Sequence, residues 1–142
     1  MRDFRVHNSG TILTAEEHQE WLLLTGLTVS QWADENRVLD ARSSAEPGPW
    51  RTSRTPYLRG IMDAFSDPEV EEETIQKPAQ SGGTEAIHNM IGYCISCDPG
   101  PALLVMPRED DCDYTAENRL KPMMQNSRDL AAHITGRLWD LS

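Results

Sequence analysis

Apolar residues along the chain come in short periodic runs broken by Gly, Pro and Ser, and each run predicts an element. Thr14 precedes Glu17 by the spacing of a capping box, and Leu22, Leu23 and Leu24 follow, so a helix is expected over 14–25 with Gly26 as its stop. The same spacing recurs at Thr28 and Gln31 ahead of Trp32, Val38 and Leu39, predicting a second helix over 29–41. Residues 43–56, SSAEPGPWRTSRTP, lose this periodicity and read as an ordered or partly ordered linker with Trp50 as its one bulky anchor. Leu58, Ile61, Met62 and Phe65 restore helical spacing and predict a helix over 57–65 that Asp67-Pro68 ends.

Residues 70–76, VEEETIQ, show little helical period and lead into a glycine turn, which fits a strand. Ile87, Met90, Ile91, Cys94 and Ile95 then mark one face of a helix over 84–96. The uninterrupted run ALLVM at 102–106 has the character of a parallel strand buried on both faces. After Pro107 an acidic loop, REDDCD, is expected, then a helix to about Leu120, a break at Pro122, and more helix near 128–134. The resulting order of strand, glycine turn, helix and strand predicts an α/β fold with a parallel sheet and flanking helices.

With 142 residues, 38% hydrophobic and 25% charged, the chain has the material for one modest soluble core. A formal net charge of -10 and a pI near 4.7 exclude a broad electrostatic grip on nucleic acid, so a bound polyanion must find a local site. The N-terminal residues have no long apolar core of a signal peptide and no run is long enough to cross a bilayer, which predicts a cytoplasmic protein. Three cysteines, an odd number, fit reduced thiols in that compartment.

Chemistry concentrates in QKPAQSGGTEA, residues 76–86. Laid over the P-loop pattern G-x-x-x-x-G-K-[ST], Gly82 takes the second glycine and Thr84 the hydroxyl position, while Gly83 stands where the lysine belongs and Lys77 where the first glycine belongs. A glycine pair between strand and helix collects free N–H groups and the positive helix end at one point, which makes an anion site. Lys77 is long enough to fold back over bound phosphates, and the Thr84 hydroxyl can reach a magnesium ion. The plainer alternative is a flexible polar turn with Thr84 as a simple helix cap.

The loop does not stand alone. IQKPAQSGGTEA, preceded by PWRTSRTPYLRGIMDAFSDPEV and followed by IGYCISCDPGPALLVMP and ENRLKPMM, resembles in order the ATPase region of lambda-type phage terminase large subunits, over roughly residues 29–125. In that family the lysine sits at the front of the loop. The resemblance implies an incomplete P-loop NTPase at 57–142, preceded by a helical extension at 1–42 and the linker at 43–56. It implies ATP and Mg²⁺ as cofactors, with Lys77, Ala79, Gln80, Ser81, Gly82, Gly83 and Thr84 around the phosphates and metal, Thr84 as the metal-side ligand, and Trp50 and Tyr57 toward the base. The terminase small subunit, the portal and viral DNA are the implied partners, in the host cytoplasm, and assembly into an oligomer is compatible with it. The family's Walker B acids and nuclease carboxylates would fall after position 142, so these residues are expected to bind nucleotide rather than turn it over. The alternative from another class is a non-catalytic remnant or assembly module that binds a partner subunit.

Other motifs compete less well. Cys94 and Cys97 form a C-x-x-C to which Cys112 and His88 or His133 could add ligands, but a single pair is weak and Cys94 falls on the apolar helix face. Glu109 and Asp110 follow an apolar run as metal-binding acids would, though Pro107 and Arg108 intervene and a solvated acidic loop is the simpler reading. His7 and His18 show no ligand spacing, and Trp21, Trp32 and Trp139 read as packing anchors. The run EVEEE at 69–73 is read as a solvated face, as are Arg119 and Lys121, although either could lend a charge to a phosphate or a neighbouring subunit.

Overall fold

Thr28 caps the first helix that the structure, a computed structural model, describes; the described residues are 26–42 and 44–133. The Thr28 hydroxyl accepts from the Gln31 N–H, and the Gln31 side chain accepts from the Thr28 N–H at 3.0 Å, the reciprocal box expected from their spacing. Helix α1 (Val29–Asn36) ends well before residue 41, because Arg37 turns extended and its carbonyl accepts from the Trp50 N–H at 2.9 Å. Val38–Leu39 then becomes strand β1, antiparallel to β2 (Gly48–Pro49), with Val38 opposite Pro49 and Leu39 opposite Gly48. A pairing partner from the Pro/Gly stretch thus outcompetes local helix propensity. The helix expected over 14–25 lies outside the described residues.

The stretch after β2 is held by specific bonds. Trp50 is buried, its indole N–H donates to Thr52 Oγ1 at 3.0 Å, and the Thr52 N–H donates to Asp34 of α1 at 2.6 Å, leading into a 3-10 turn at Thr52–Arg54. Helix α2 (Leu58–Phe65) completes the front of α1: Asp63 accepts from the N–H and hydroxyl of Ser30, both at 3.0 Å, and Ser66 Oγ accepts from the Val29 N–H at 3.3 Å. The orphan donors of one helix are satisfied by the C-terminal turn of another.

Helix α3 (Gly83–Ser96) is the centre of the packing. Trp32, only 1% exposed, packs its ring against this helix at Gly92, where a Cβ would overlap the indole and stand 2.6 Å from Cζ3. Helices α1, α2 and α3 bury Val29, Trp32, Met62 and Met90 between them.

The C-terminal part departs most from expectation. The acidic segment is helical: α4 (Glu109–Thr115) starts immediately after an extended Arg108, which clamps Asp111 at 2.9 and 3.0 Å. Three acids in its first turn complement the helix dipole, which explains why a run that resembles a solvated loop winds into a helix. Pro122 does not break the chain either. A π-helical turn (Ala116–Leu120) precedes α5 (Lys121–Asn126), and the Lys121 N–H reaches back to the Ala116 carbonyl. The wider turn accommodates a proline that has no N–H to give. Helix α6 (Arg128–His133) returns to α3, burying Leu130 and bringing Asp129 to within 3.2 Å of the Trp32 indole N–H.

The parallel sheet is not seen. Among the described residues, the two-stranded antiparallel β1–β2 pair is the whole of the sheet, and residues 70–76 and 101–106 carry no regular secondary structure. ALLVM is not buried on both faces, since Leu103 is 89% and Val105 76% exposed. A strand is defined by its neighbour, and neither segment has one within the described residues.

Gly92→Ala gains roughly 1 kcal/mol of intrinsic helix preference but drives a methyl into the Trp32 ring, and overpacking of this kind costs about 1–3 kcal/mol. Urea unfolding should therefore show the variant less stable than the parent; equal or greater stability would refute the Trp32–Gly92 lock.

Candidate functional site

The head of α3 and the loop before it form the site. Gly82 is the cap residue, with φ +79 and no side-chain cap, so the first N–H groups of the helix have no acceptor within it. Thr84 is the second residue of the helix rather than its cap, which leaves its exposed hydroxyl uncommitted to capping. Gln80 is also left-handed, at φ +57, a conformation that non-glycine residues adopt rarely and at some energetic cost. Side-chain bonds hold this loop: Ser81 donates to the Pro78 carbonyl and Tyr57 donates to the Ser81 carbonyl, each at 3.0 Å.

Lys77 explains Gly83. A Cβ on Gly83 would overlap Lys77 Cδ and stand 2.8 Å from its Cε, so the aliphatic stem of the lysine lies over the glycine. The two departures from the standard loop are therefore one device. A lysine coming from the front of the loop covers the position where the usual lysine would be rooted, and only glycine leaves room for it.

Two cavities meet at the loop. One of about 630 Å³ is lined by Lys77, Gln80, Ser81, Gly82, Gly83, Thr84, Glu85 and Arg119 together with Ser44 and Ala45. The other, about 590 Å³, extends from the same Gln80–Gly82 backbone to Trp50, Arg54 and Tyr57. Trp50 presents only an edge there, because its ring is buried and its N–H is spent on Thr52, whereas Tyr57 is 58% exposed. Ala79 lies in the turn and lines neither cavity.

Electrostatics centre on Glu85 in the first turn of α3. Arg37, buried at the end of α1, reaches its Oε2 at 2.8 Å, Arg119 of the π turn reaches Oε1 at 3.4 Å, and His88 Nδ1 stands 3.6 Å from Oε1. Burial works against the Glu85 charge, but His88, Arg37 and Arg119 outweigh it and hold the carboxyl below its ordinary range. The guanidinium of Arg37 is itself shifted down by burial, offset by Glu85. A carboxylate beside an anion site would repel phosphate, and here it is neutralised from two sides. Glu85 and Arg37 carried no motif to reveal them; Arg119 was legible only as a charge of undecided direction.

Over residues 44–140 the chain matches the family model described as the ATPase domain of phage terminase large subunit gpA. The chain belongs to this terminase ATPase family. No curated protein and no solved structure matches it. A terminase ATPase domain is a DNA-packaging ATPase module, and membership implies nucleotide and metal use and packaging partners such as the portal and DNA. It also fits a P-loop-like fold, of which the described residues of this terminase domain show the mixed helical part and the small antiparallel sheet. No helix among them is long and apolar enough to cross a membrane.

The rival motifs fall away in this terminase domain. Burial first, then Asp129, Glu35 and Asp98, push the Cys97 thiol up to about 11, and burial with Asp98 also raises Cys94, the opposite of a reactive or metal-ready thiolate. Among the described residues no group of three or more His, Cys, Asp and Glu could hold a metal. Glu109 and Asp110 sit in the first turn of α4 and line neither cavity.

Because Glu85 is held below its ordinary value, its ion pairs stabilise the fold above the unfolded value of 4.5 and are lost as pH falls through the folded value. Urea stability measured from pH 7 downward should decline below pH 4.5. Glu85→Gln should cost about 3 kcal/mol at pH 7, by leaving Arg37 buried and uncompensated, and should flatten the acid limb. An acid limb unchanged in the variant would show that Glu85 is not its source.

Proposed function

We propose that these residues are the ATP-binding site of a phage DNA-packaging motor subunit. The observation that carries the reading is the Lys77 stem lying over Gly83, beside the unpaired N–H groups that begin α3. A polyphosphate in the larger cavity meets those donors, the positive end of a 14-residue helix, and one mobile ammonium. Lys77 neutralises the β- and γ-phosphate charge, Gly82 and Gly83 donate from the backbone, and Gln80 orients the loop or a phosphate. Ser81 contributes by holding the loop shape through Pro78 and Tyr57.

The residues present fit Mg²⁺ only together with phosphate. The Thr84 hydroxyl is exposed at the cavity while the adjacent carboxylate, Glu85, is committed to arginines, so Thr84 is the protein's ligand and phosphate oxygens complete the set. Bound there, the ion would neutralise phosphate charge. The second cavity takes the nucleoside, with Tyr57 and Arg54 at its open side and the edge of Trp50 at its wall. The terminase small subunit is a further partner under this reading, and the host cytoplasm its place of action.

Thermal unfolding of the chain with and without Mg-ATP tests the reading. A site filled to 100 times its Kd adds about 2.7 kcal/mol, enough for a clear upward shift in Tm. Lys77→Ala should abolish most of that shift, and Gly83→Ala should reduce it by forcing the lysine stem off the loop. No response to ATP in the unaltered chain would leave the remnant or assembly-module reading in its place.

A further inference from the structure

The two cavities impose a direction on the ligand. They share Ser44, Ala45, Gln80, Ser81 and Gly82. Trp50, Arg54 and Tyr57 belong only to the first, and Lys77, Gly83, Thr84, Glu85 and Arg119 only to the second. On the reading just proposed, a nucleotide with its base in the first cavity crosses the loop backbone at its inner phosphates and ends its phosphate chain on the far side. Of the two cavities, Arg119 lines only the second.

Arg119 and Arg37 hold Glu85 unequally. Arg37, its side chain 3% exposed, makes a 2.8 Å contact with Oε2 and cannot leave without stranding a buried charge. Arg119 takes the other oxygen at 3.4 Å; its side chain is 30% exposed and is among those lining the cavity. A phosphate dianion competes well for the looser guanidinium, and Glu85 keeps Arg37 when that happens. A second feature is independent of the first: Arg119 lies in the π-helical turn, a rare widening that frequently marks functional positions.

We propose that Arg119 is the terminal-phosphate ligand of this site, held on Glu85 in the structure and transferred to the outermost phosphate when a nucleoside triphosphate binds. Glu85 then acts as a holder that keeps the guanidinium at the cavity mouth and its charge balanced until the triphosphate arrives. The consequence is discrimination by phosphate number. A triphosphate reaches Arg119; a diphosphate stops short at Lys77 and the backbone donors.

Calorimetric titration of the 142-residue chain with Mg-ATP and with Mg-ADP tests this. Arg119→Ala should weaken ATP binding about tenfold or more while changing ADP binding less than about threefold, as expected for one lost charge-assisted phosphate contact. Arg119→Lys should fall between, and Arg119→Gln, which can still bond Glu85, should show the same ATP-selective loss if the alanine variant does not fold. Lys77→Ala should weaken both nucleotides. Equal losses for ATP and ADP, or none for either, in an Arg119 variant that folds overturn the assignment while leaving the nucleotide site intact. Absence of binding by the unaltered chain overturns the nucleotide site and this assignment together.

Discussion

The close contact between Trp32 and Gly92 joins the first described helix to the one that the loop leads into. An indole packed directly against a helix backbone sets how closely α1 approaches α3, because the ring occupies the space a Cβ would need. Asp129 fixes the indole's outer edge by accepting its N–H, so α6 joins the same contact. With α1 held there, Arg37 at its end has no freedom to miss Glu85 at the head of α3. The glycine in the middle of α3 thus bears on the position of an ion pair two turns away, beside the loop cavity.

The charge arrangement at that edge reconciles two needs. An acidic residue in the first turn of α3 favours the helix, yet under the proposed reading the same turn accepts phosphate. Glu85 serves the first need and is silenced for the second by cations from two other parts of the chain, one buried and one facing the cavity. In a chain with a net charge of -10, such local compensation is the only way to present a positive face to a polyanion.

Local rules read well where local energies decide. The capping box at Thr28 and Gln31, the helix beginning near Thr84 and the helical spacing of Leu58, Ile61, Met62 and Phe65 all follow from local pattern. Where pairing at a distance decides, the sequence misleads. Val38 and Leu39 carry helical spacing but join Gly48–Pro49. ALLVM has the composition of a buried strand, and composition cannot supply the neighbour that would make it one. Pro122 signals a break that a π turn absorbs, and the acids after Arg108 look solvated until they are counted as a favourable first turn. Arg37 is invisible as a site residue and Arg119 legible only as a charge of undecided direction, because each reaches Glu85 across the fold.

The overlap between the Lys77 stem and any side chain at position 83 also bears on substitution. A side chain at 83 fits only if the Lys77 stem moves aside. Restoring a lysine at 83 while Lys77 remains would force two long cations through one space, and removing Lys77 first would leave a loop with no ammonium at all. While the Lys77 stem keeps this place, positions 77 and 83 are coupled, and a change at one is felt at the other.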